Sequence, residues 1–506
     1  MKTWVALLMA LTALAGCIGD DDSDPVPAEP ACPTSIHEDA NVRILNTTDD
    51  PIVDERELAW DFSTYNVRTC DLYAVGQTPL RFAADGSPDP HGYIGELDVL
   101  ADYDLATVAV LGAGGETPTA YVLDISNRTD PQVLSAIEQA GVYLVDVKLS
   151  PDARFLVTAS QGLLVGPGEA SELPELTANS GFTVYDLEDP RNPSYMFTIP
   201  DTQGGCHMLE VEYVGTTFVV VCVSANIRVW GFEEVQDRTF VPLGFVDYLP
   251  TLDGVPTPSS RWLPAGDPTC QVPTGCVLNP VLGSGPHDMT ITQDPDGTLW
   301  MTVSHWNDGM RLVDITDAPQ AVEVGAWNGE GATHYDGNVH TAMRFWANGT
   351  PYVIASPEYT YGGVVPSLWV LDTTDPATPQ LVGEWYHPNE HESQGLYLTT
   401  HQWQVAPTGP DVPLEDVHVY LTMNHGGVWV LGFKEMLEGD LWGAIKGFHL
   451  TRTPIDQDTA ITQNAVLNTW DVNVADGYIY GTDRATGLWV LDYTGDDHLD
   501  GLTGFA

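Results

Sequence analysis

The stretch Leu368-Trp-Val-Leu-Asp372-Thr-Thr-Asp375-Pro376-Ala-Thr-Pro379-Gln-Leu381-Val-Gly-Glu-Trp385 sets the architecture of the chain. Its first half is rich in β-branched and aromatic residues and reads as a strand that ends at Asp372. The Asp-Pro pair reverses the chain, because Pro fixes φ for the first turn position and Asp accepts hydrogen bonds from turn N–H groups. A second strand, Leu381 to Trp385, runs back. The strand recurs as Tyr121–Asp124, Thr183–Asp186, Arg228–Gly231, Arg311–Asp314, Trp369–Asp372, Trp429–Gly432 and Trp489–Asp492, seven copies spaced 45 to 83 residues apart. Asp-Pro turns follow at Asp130-Pro131, Asp189-Pro190 and Asp375-Pro376, and Asp317-Ala-Pro319 is a variant. Two copies end in Gly-Phe in place of Asp.

Each copy is preceded by a hairpin. Asp288 to Thr292 and Leu299 to Val303 flank the turn Asp294-Pro-Asp-Gly297, a hairpin signature. Comparable pairs are Val142–Leu149 with Phe155–Ala159, Met208–Tyr213 with Phe218–Val223, and Val472–Val474 with Tyr478–Tyr480. The unit is therefore four antiparallel strands per ~60 residues. One such sheet cannot cover both its faces, whereas sheets stacked radially about an axis cover each other. Seven copies predict an all-β fold, a seven-bladed β-propeller over residues 94–506. The alternative is a β-sandwich array or two separate β-domains. After Asp492 only fourteen residues remain, too few for a convincing last outer strand. The N-terminal segment 41–93 is expected to supply it, from Leu72–Val75 or Leu80–Ala83.

At these residues the chain resembles the LVIVD-repeat family of β-propellers. Trp-Val-Leu-Asp followed by Asp-Pro-x-x-Pro, at Trp369–Pro379, and Asp-Pro-x-x-Pro at Asp189–Pro193 carry the likeness, which spans most of residues 94–495. It implies the propeller and no particular activity, since fold does not transfer chemistry.

The N-terminus reads as an export signal. Met1-Lys2 precedes the apolar run Val5–Ala15, then Leu14-Ala-Gly-Cys17 and the acidic Asp20–Asp24. The run is too short to span a bilayer as a stable helix. By resemblance to prokaryotic lipoproteins, residues 1–17 are a lipoprotein signal peptide and Cys17 becomes a lipidated N-terminus on the outer face of the cell membrane. Ordinary secretion is the alternative. Residues 18–40, rich in Asp, Pro and Ala, read as a tether.

Outside the cytosol, six remaining cysteines suggest disulfides. Cys206 and Cys222 lie symmetrically about a hairpin turn, Cys270 and Cys276 close a small loop, and Cys32 with Cys70 would be the remainder. A cysteine metal site is the rival reading. The formal net charge of −53 excludes nucleic acid and anionic membrane surface as electrostatic partners and suits a high-salt setting. Asn46, Asn127 and Asn348 head glycosylation sequons. The chain reads as a monomer with a protein or small-molecule ligand as partner.

Chemistry is expected where the loops entering the inner strands and leaving the second strands meet around the axis. At the first position stand His91, Asp146, His207, His287, His340, His401 and Asp471, and at the second His305, Glu358, His425 and Arg484. Seven of these eleven are His, out of fourteen in the chain. Neighbouring loops add His334, Glu390 and His391. Imidazoles converging near an axis suit one transition metal such as copper, zinc or iron, with carboxylates orienting the rings. The candidate ligands are His287, His340, His401 and His425, then His305 and His207, supported by Glu358 and Asp288. The competing reading has each polar group stitching its strand to the next blade, which Asp146 and Asp471 favour. A metal-free substrate pocket is a third.

Pro286-His-Asp288, the hairpin after it and Ser304-His-Trp also resemble the inner-strand histidine pattern of the selenium-binding protein/methanethiol oxidase propellers, over about one blade. That likeness implies a copper site. The functional expectation is an exported cell-surface binding protein using a His-lined face, with a metal-dependent oxidoreductase of small thiols, or a structural scaffold, as alternatives. No phosphate loop, Gly-x-Ser-x-Gly elbow or Cys-x-x-Cys pair is present. The Trp- and Tyr-rich strands read as blade packing, and Glu435–Trp442 as one short helix.

Overall fold

The computed structural model describes residues 72–80, 94–111, 117–139, 142–161, 180–200, 205–223, 227–248, 286–305, 309–358 apart from 319 and 336–337, 367–387, 400–451 apart from 425 and 450, and 469–495 apart from 485. Between 251 and 278 it gives the backbone of four strands of two or three residues. Seven sheets of four antiparallel strands follow one another. Blade 1 comprises Ile94–Leu100, Leu105–Val110, Thr119–Asp124 and Gln132–Glu138. Blade 2 comprises Tyr143–Leu149, Phe155–Gln161, Gly181–Asp186 and Ser194–Pro200, and blade 3 Leu209–Val214, Thr217–Val223, Ile227–Gln236 and Thr239–Tyr248. Blade 4 is Pro286–Gln293, Leu299–His305, Gly309–Asp314 and Val322–Trp327, and blade 5 Thr341–Ala347, Thr350–Ser356, Ser367–Asp372 and Gln380–Tyr386. Blade 6 is Thr400–Ala406, His418–Met423, Gly427–Gly432 and Ile445–His449. Blade 7 takes Thr469–Ala475, Tyr478–Asp483 and Gly487–Tyr493 from the C-terminal end and Leu72–Thr78 from the N-terminal side. Each inner strand touches the next, and that of blade 7 touches that of blade 1, so the ring closes.

The repeated stretch explains both blade shape and blade stacking. The terminal Asp of the third strand folds the turn: Asp124, Asp186, Asp314 and Asp372 accept N–H bonds of 2.7 to 2.9 Å from the residue two positions on. Every outer strand then carries one unpaired extra residue at the same place: Val75, Leu134, Met196, Leu243, Val324, Val382 and Lys446. Such a bulge bends the strand and tightens its twist. In blades 1, 4 and 7 the next residue faces the turn of the following blade. At Gly325 an added Cβ would collide with the Pro376 carbonyl of blade 5, and at Gly76 with the Arg128 carbonyl of blade 1. At the equivalent Ser135 the hydroxyl donates to the Pro190 carbonyl, 2.8 Å away. The Asp-Pro turn of one blade thus rests on the bulge of its neighbour.

Closure uses the first of the two expected segments. Leu72–Thr78 pairs antiparallel with Gly487–Tyr493, and Tyr73 Oη donates to Asp492 at 2.8 Å. Leu80, outside the strand, is fully buried among residues of blades 1 and 7. The short helix is Phe433–Glu438, earlier than the sequence suggests. Gly439 adopts φ 71° and ends it, while Phe433 and Met436 bury against the blades. Trp442 lies beyond this end. Among the described residues no helix is long and apolar enough to cross a membrane.

Of the cysteines, Cys206, just before the first strand of blade 3, and Cys222, in the second strand, form a disulfide with Cα atoms 5.5 Å apart. Cys17, Cys32, Cys70 and Cys270 lie outside the described residues, as do the signal peptide and tether, and only the backbone of Cys276 is described. Asn127 and Asn348 are exposed in turns, and Asn46 lies outside the description.

Candidate metal centre

Aligning the inner strands on the carboxylates that bridge blades places His207, His287, His340, His401 and Trp470 at one equivalent position of blades 3 to 7. Blades 1 and 2 have Gly95 and Val145 there. The position is locally irregular. In blades 1, 2, 4, 6 and 7 the pairing with the second strand slips by one residue across it. A slip of this kind re-aims a side chain out of the pleat.

The result is an arc of rings along one side of the channel. Ring centroids are 4.6 Å apart for His207 and His287, 4.1 Å for His287 and His340, 4.6 Å for His340 and His401, and 3.5 Å for His401 and Trp470. The Arg484 guanidinium lies 3.4 Å from the Trp470 ring. His287, His340 and His401 are buried and His207 is half-buried.

Glu358 enters from the loop after the second strand of blade 5. Its carboxylate oxygens lie 3.6 Å from His340 Nε2 and 3.9 Å from His401 Nε2. His287, His340 and Glu358 each present a ligand atom within 4.8 Å of the other two. His207 Nε2 lies 3.0 Å from His287 Nε2. Two nitrogens about 2.0–2.1 Å from one tetrahedral metal are separated by about 3.3 Å, so this pair is near the spacing of neighbouring ligands.

Hydrogen bonds select the tautomers. His401 Nδ1 lies 2.9 Å from the Trp470 carbonyl, which can only accept, so Nδ1 carries the proton and Nε2 presents a lone pair. His340 Nδ1 lies 2.8 Å from Thr341 Oγ1, and the His401 carbonyl also faces that ring. With Thr341 accepting there, its own proton goes to Gln402, Asp288 or the His401 carbonyl. The His340 carbonyl faces His287 in the same way. His401 therefore leans on the next blade through Nδ1 and His340 on its own Thr341, while both turn Nε2 toward Glu358. Stitching and ligand presentation use different atoms of one side chain. Burial holds His287, His340 and His401 well below the usual imidazole range and brings His207 down to about 4, so all four stay neutral at pH 7.

One and three residues deeper along the strands the lining turns acidic. Asp146 accepts from its own Val147 N–H and from Leu209 N–H of blade 3, at 2.7 and 2.8 Å. Asp471 does the same with Val472 and with Leu97 of blade 1, both at 2.7 Å. Asp98 reaches Leu149 of blade 2 at 2.7 Å. These carboxylates are the blade stitches. Burial raises Asp146 to about 7, Glu210 to about 8 and Asp288 to about 6. Glu96 is pushed well above the carboxylate range by burial and then by the adjacent Asp471. Lys148 sits 3.7 Å from Asp146. Burial opposes its charge, but Asp146, Glu210 and Asp98 outweigh it and hold the amine well above the usual range.

Of the expected ligands, the structure thus gathers His287, His340 and Glu358, with His401 and His207 alongside. His305 is buried at the end of its strand opposite Pro286 but is not one of the three groups within 4.8 Å. Asp288 lies one row below, bonded to Gln402 and Thr341 at 3.2 Å each. His334 packs edge-on against Tyr386, in the outer strand of blade 5. His91, Glu390, His391 and His425 lie outside the described residues. Trp470, Glu96, Asp98, Lys148 and Glu210 were not singled out from the sequence. Aligning the inner strands would have found the last four, which share rows with the bridging aspartates, and Trp470, which shares the row of the histidines.

No protein-family model matches the chain, and neither does any curated protein. Among solved structures, the chain is similar to the β-propeller domain of Myceliophteria thermophila Cps50 (Swd1), at 10% identity over 79% of this chain and 96% of that one, with a TM-score of 0.45. A likeness at that level carries no argument about this chain, whose architecture stands on its own strand order and ring closure. With no family match, the LVIVD and selenium-binding resemblances remain likenesses of motif.

Proposed function

We propose that the propeller binds one transition-metal ion at the His-lined end of its channel, through His287, His340 and Glu358, with His401 or His207 completing the set. What supports this reading is the convergence of two neutral imidazoles and a carboxylate within 4.8 Å in a buried setting. Nitrogen-rich donors with one carboxylate suit zinc, copper or iron, whereas calcium and magnesium require oxygen. The Nδ1 contacts of His340 and His401 orient those rings as outer partners orient metal-bound histidine elsewhere. The export signal and Cys17 lipobox read from the sequence support an outer-surface location for this site, and the protein acts there as a metal-dependent binder.

The test is metal content after chelator stripping and reloading with zinc or copper, for wild type, His340→Ala, Glu358→Gln and the distant control His334→Ala. One equivalent in wild type and control, with binding weakened about 100-fold or more in the other two, supports the centre. Substoichiometric metal in wild type, or full retention in folded Glu358→Gln and His340→Ala, overturns it. Oxygen consumption with small thiols by the loaded protein separates an oxidoreductase from a binder.

A further inference from the structure

We propose that Asn348 carries an N-linked sugar chain and that Asn127, the other sequon among the described residues, stays bare. This inference rests on the export part of the reading above and is independent of the metal. Asn348-Gly-Thr350 spans the two-residue turn between the first two strands of blade 5, Thr341–Ala347 and Thr350–Ser356. Both turn residues have positive φ, 47° at Asn348 and 76° at Gly349. That is the condition for a type I′ hairpin, in which Asn-Gly is preferred.

Main-chain bonds hold this tip. The Asn348 N–H donates to the Val412 carbonyl of blade 6 at 2.7 Å, and the Gly349 N–H to the Pro410 carbonyl at 2.6 Å. The Asn348 side chain is exposed, and its amide bonds to nothing among the described residues. The same holds for the hydroxyl of half-buried Thr350. A Cβ added at Gly349 would meet nothing within 4 Å, so the space over the tip is open. The fold thus leaves both sequon groups unused and sets the amide on a rigid, uncovered tip.

Asn127 is the contrast. Its Oδ1 accepts from the Thr129 hydroxyl at 2.9 Å and from the Thr129 N–H at 3.3 Å, so the two groups of that sequon are tied to each other. Arg128 between them is pinned by Asp104 at 3.1 Å and Asp476 at 3.0 Å. Its carbonyl lies where a Cβ on Gly76 of the closing strand would collide with it. Presenting Asn127 to an enzyme means pulling apart the contact between blades 7 and 1, whereas Asn348 is presented as it stands.

The donor class is a sugar chain on a polyprenyl phosphate or diphosphate. The bond from Asn348 Nδ2 to the sugar C1 forms, the bond from C1 to the phosphate oxygen breaks, the amide gives up one proton and the lipid phosphate leaves. The tip is at the opposite end of its strand from His340, so the sugar leaves the histidine end of the channel uncovered.

The experiment isolates the full chain from the membranes of its native host and reads the peptides around residues 348 and 127 by mass spectrometry, for wild type, Thr350→Ala and Thr350→Ser. Thr350→Ala removes the hydroxyl that the transferase reads while keeping Asn348 and its turn, and Thr350→Ser puts a hydroxyl back. The expected result is a sugar mass on the Asn348 peptide, lost in Thr350→Ala and restored in Thr350→Ser, with the Asn127 peptide unmodified. Bare Asn348 in wild type, a sugar on Asn127 in its place, or a sugar that persists in Thr350→Ala overturns the proposal. The N-terminus of the same sample shows whether the export reading falls with it: lipidated Cys17 or another cleaved end marks an exported chain, and an intact leader over residues 1–17 marks one that was not.

Discussion

His340 shows how one side chain serves fold and site together. Its Nδ1 faces Thr341 and the next blade, and its Nε2 faces Glu358. Sequence spacing placed His207, His287, His340 and His401 near the axis because each begins an inner strand. It did not distinguish nitrogen from nitrogen, so stitching and metal binding looked like rivals. Trp470 escaped because an aromatic residue in a strand reads as packing, although it occupies the slot histidine fills in blades 3 to 6. The burial of these rings has a measurable consequence. Metal usually leaves histidine sites as protons compete below about pH 6.5. Here the free imidazoles resist protonation to well below that, and bound metal should persist to about pH 5 in a pH-jump release assay. Half-release at or above about pH 6.5 would contradict the burial argument.

The acidic rows give the opposite sign. Burial raises Glu210 to about 8, so the folded state holds a proton that the unfolded chain releases near pH 4.3. Its stabilising contribution is complete below the unfolded value and is lost as pH rises through the folded one. In thermal melts, Glu210→Gln should gain on wild type between about pH 5 and about pH 9. A constant difference across that window would show that Glu210 titrates normally.

At the scale of the strand and turn, the sequence was most legible where backbone chemistry is local. Asp372 and Asp375 fold their turns as their residue types require. The bulge in each outer strand was not legible, since Val382 and Leu243 look like ordinary alternating residues and the slip follows from contact with the next blade. Gly325→Val should cost about 1–3 kcal/mol in denaturant unfolding by forcing the Pro376 turn away; no loss would mean the blades have slack there. A second element-scale test concerns Asp294, in the hairpin turn that announced blade 4. It bonds Arg344 at 2.6 Å and the indoles of Trp300 at 3.0 Å and Trp346 at 2.6 Å, all within the blade 4–5 contact. Asp294→Ala leaves a buried guanidinium unpaired and should cost about 3–5 kcal/mol by the same assay. The helix starts two residues before the expected Glu435, and Gly439 ends it four residues before Trp442.

At the scale of the molecule, repeat counting was enough for seven blades, and the shortage of residues after Asp492 pointed to an N-terminal closing strand. Leu72–Thr78 fills that role. Removing residues 1–80 takes away that strand and buried Leu80, and should replace one cooperative unfolding transition with a broad one. The acidic charge of −53 adds self-repulsion that salt screens, the Debye length falling from about 10 Å at 0.1 M to about 3 Å at 1 M. The melting temperature should rise over that range.

The claim on which the functional account turns is that rings brought from separate blades surround one metal ion. X-ray absorption of the zinc-loaded full chain reads that shell directly. The account predicts imidazole nitrogens at about 2.0–2.1 Å, with outer-ring scattering, plus one carboxylate oxygen. A shell of sulfur, or of oxygen alone, would contradict it.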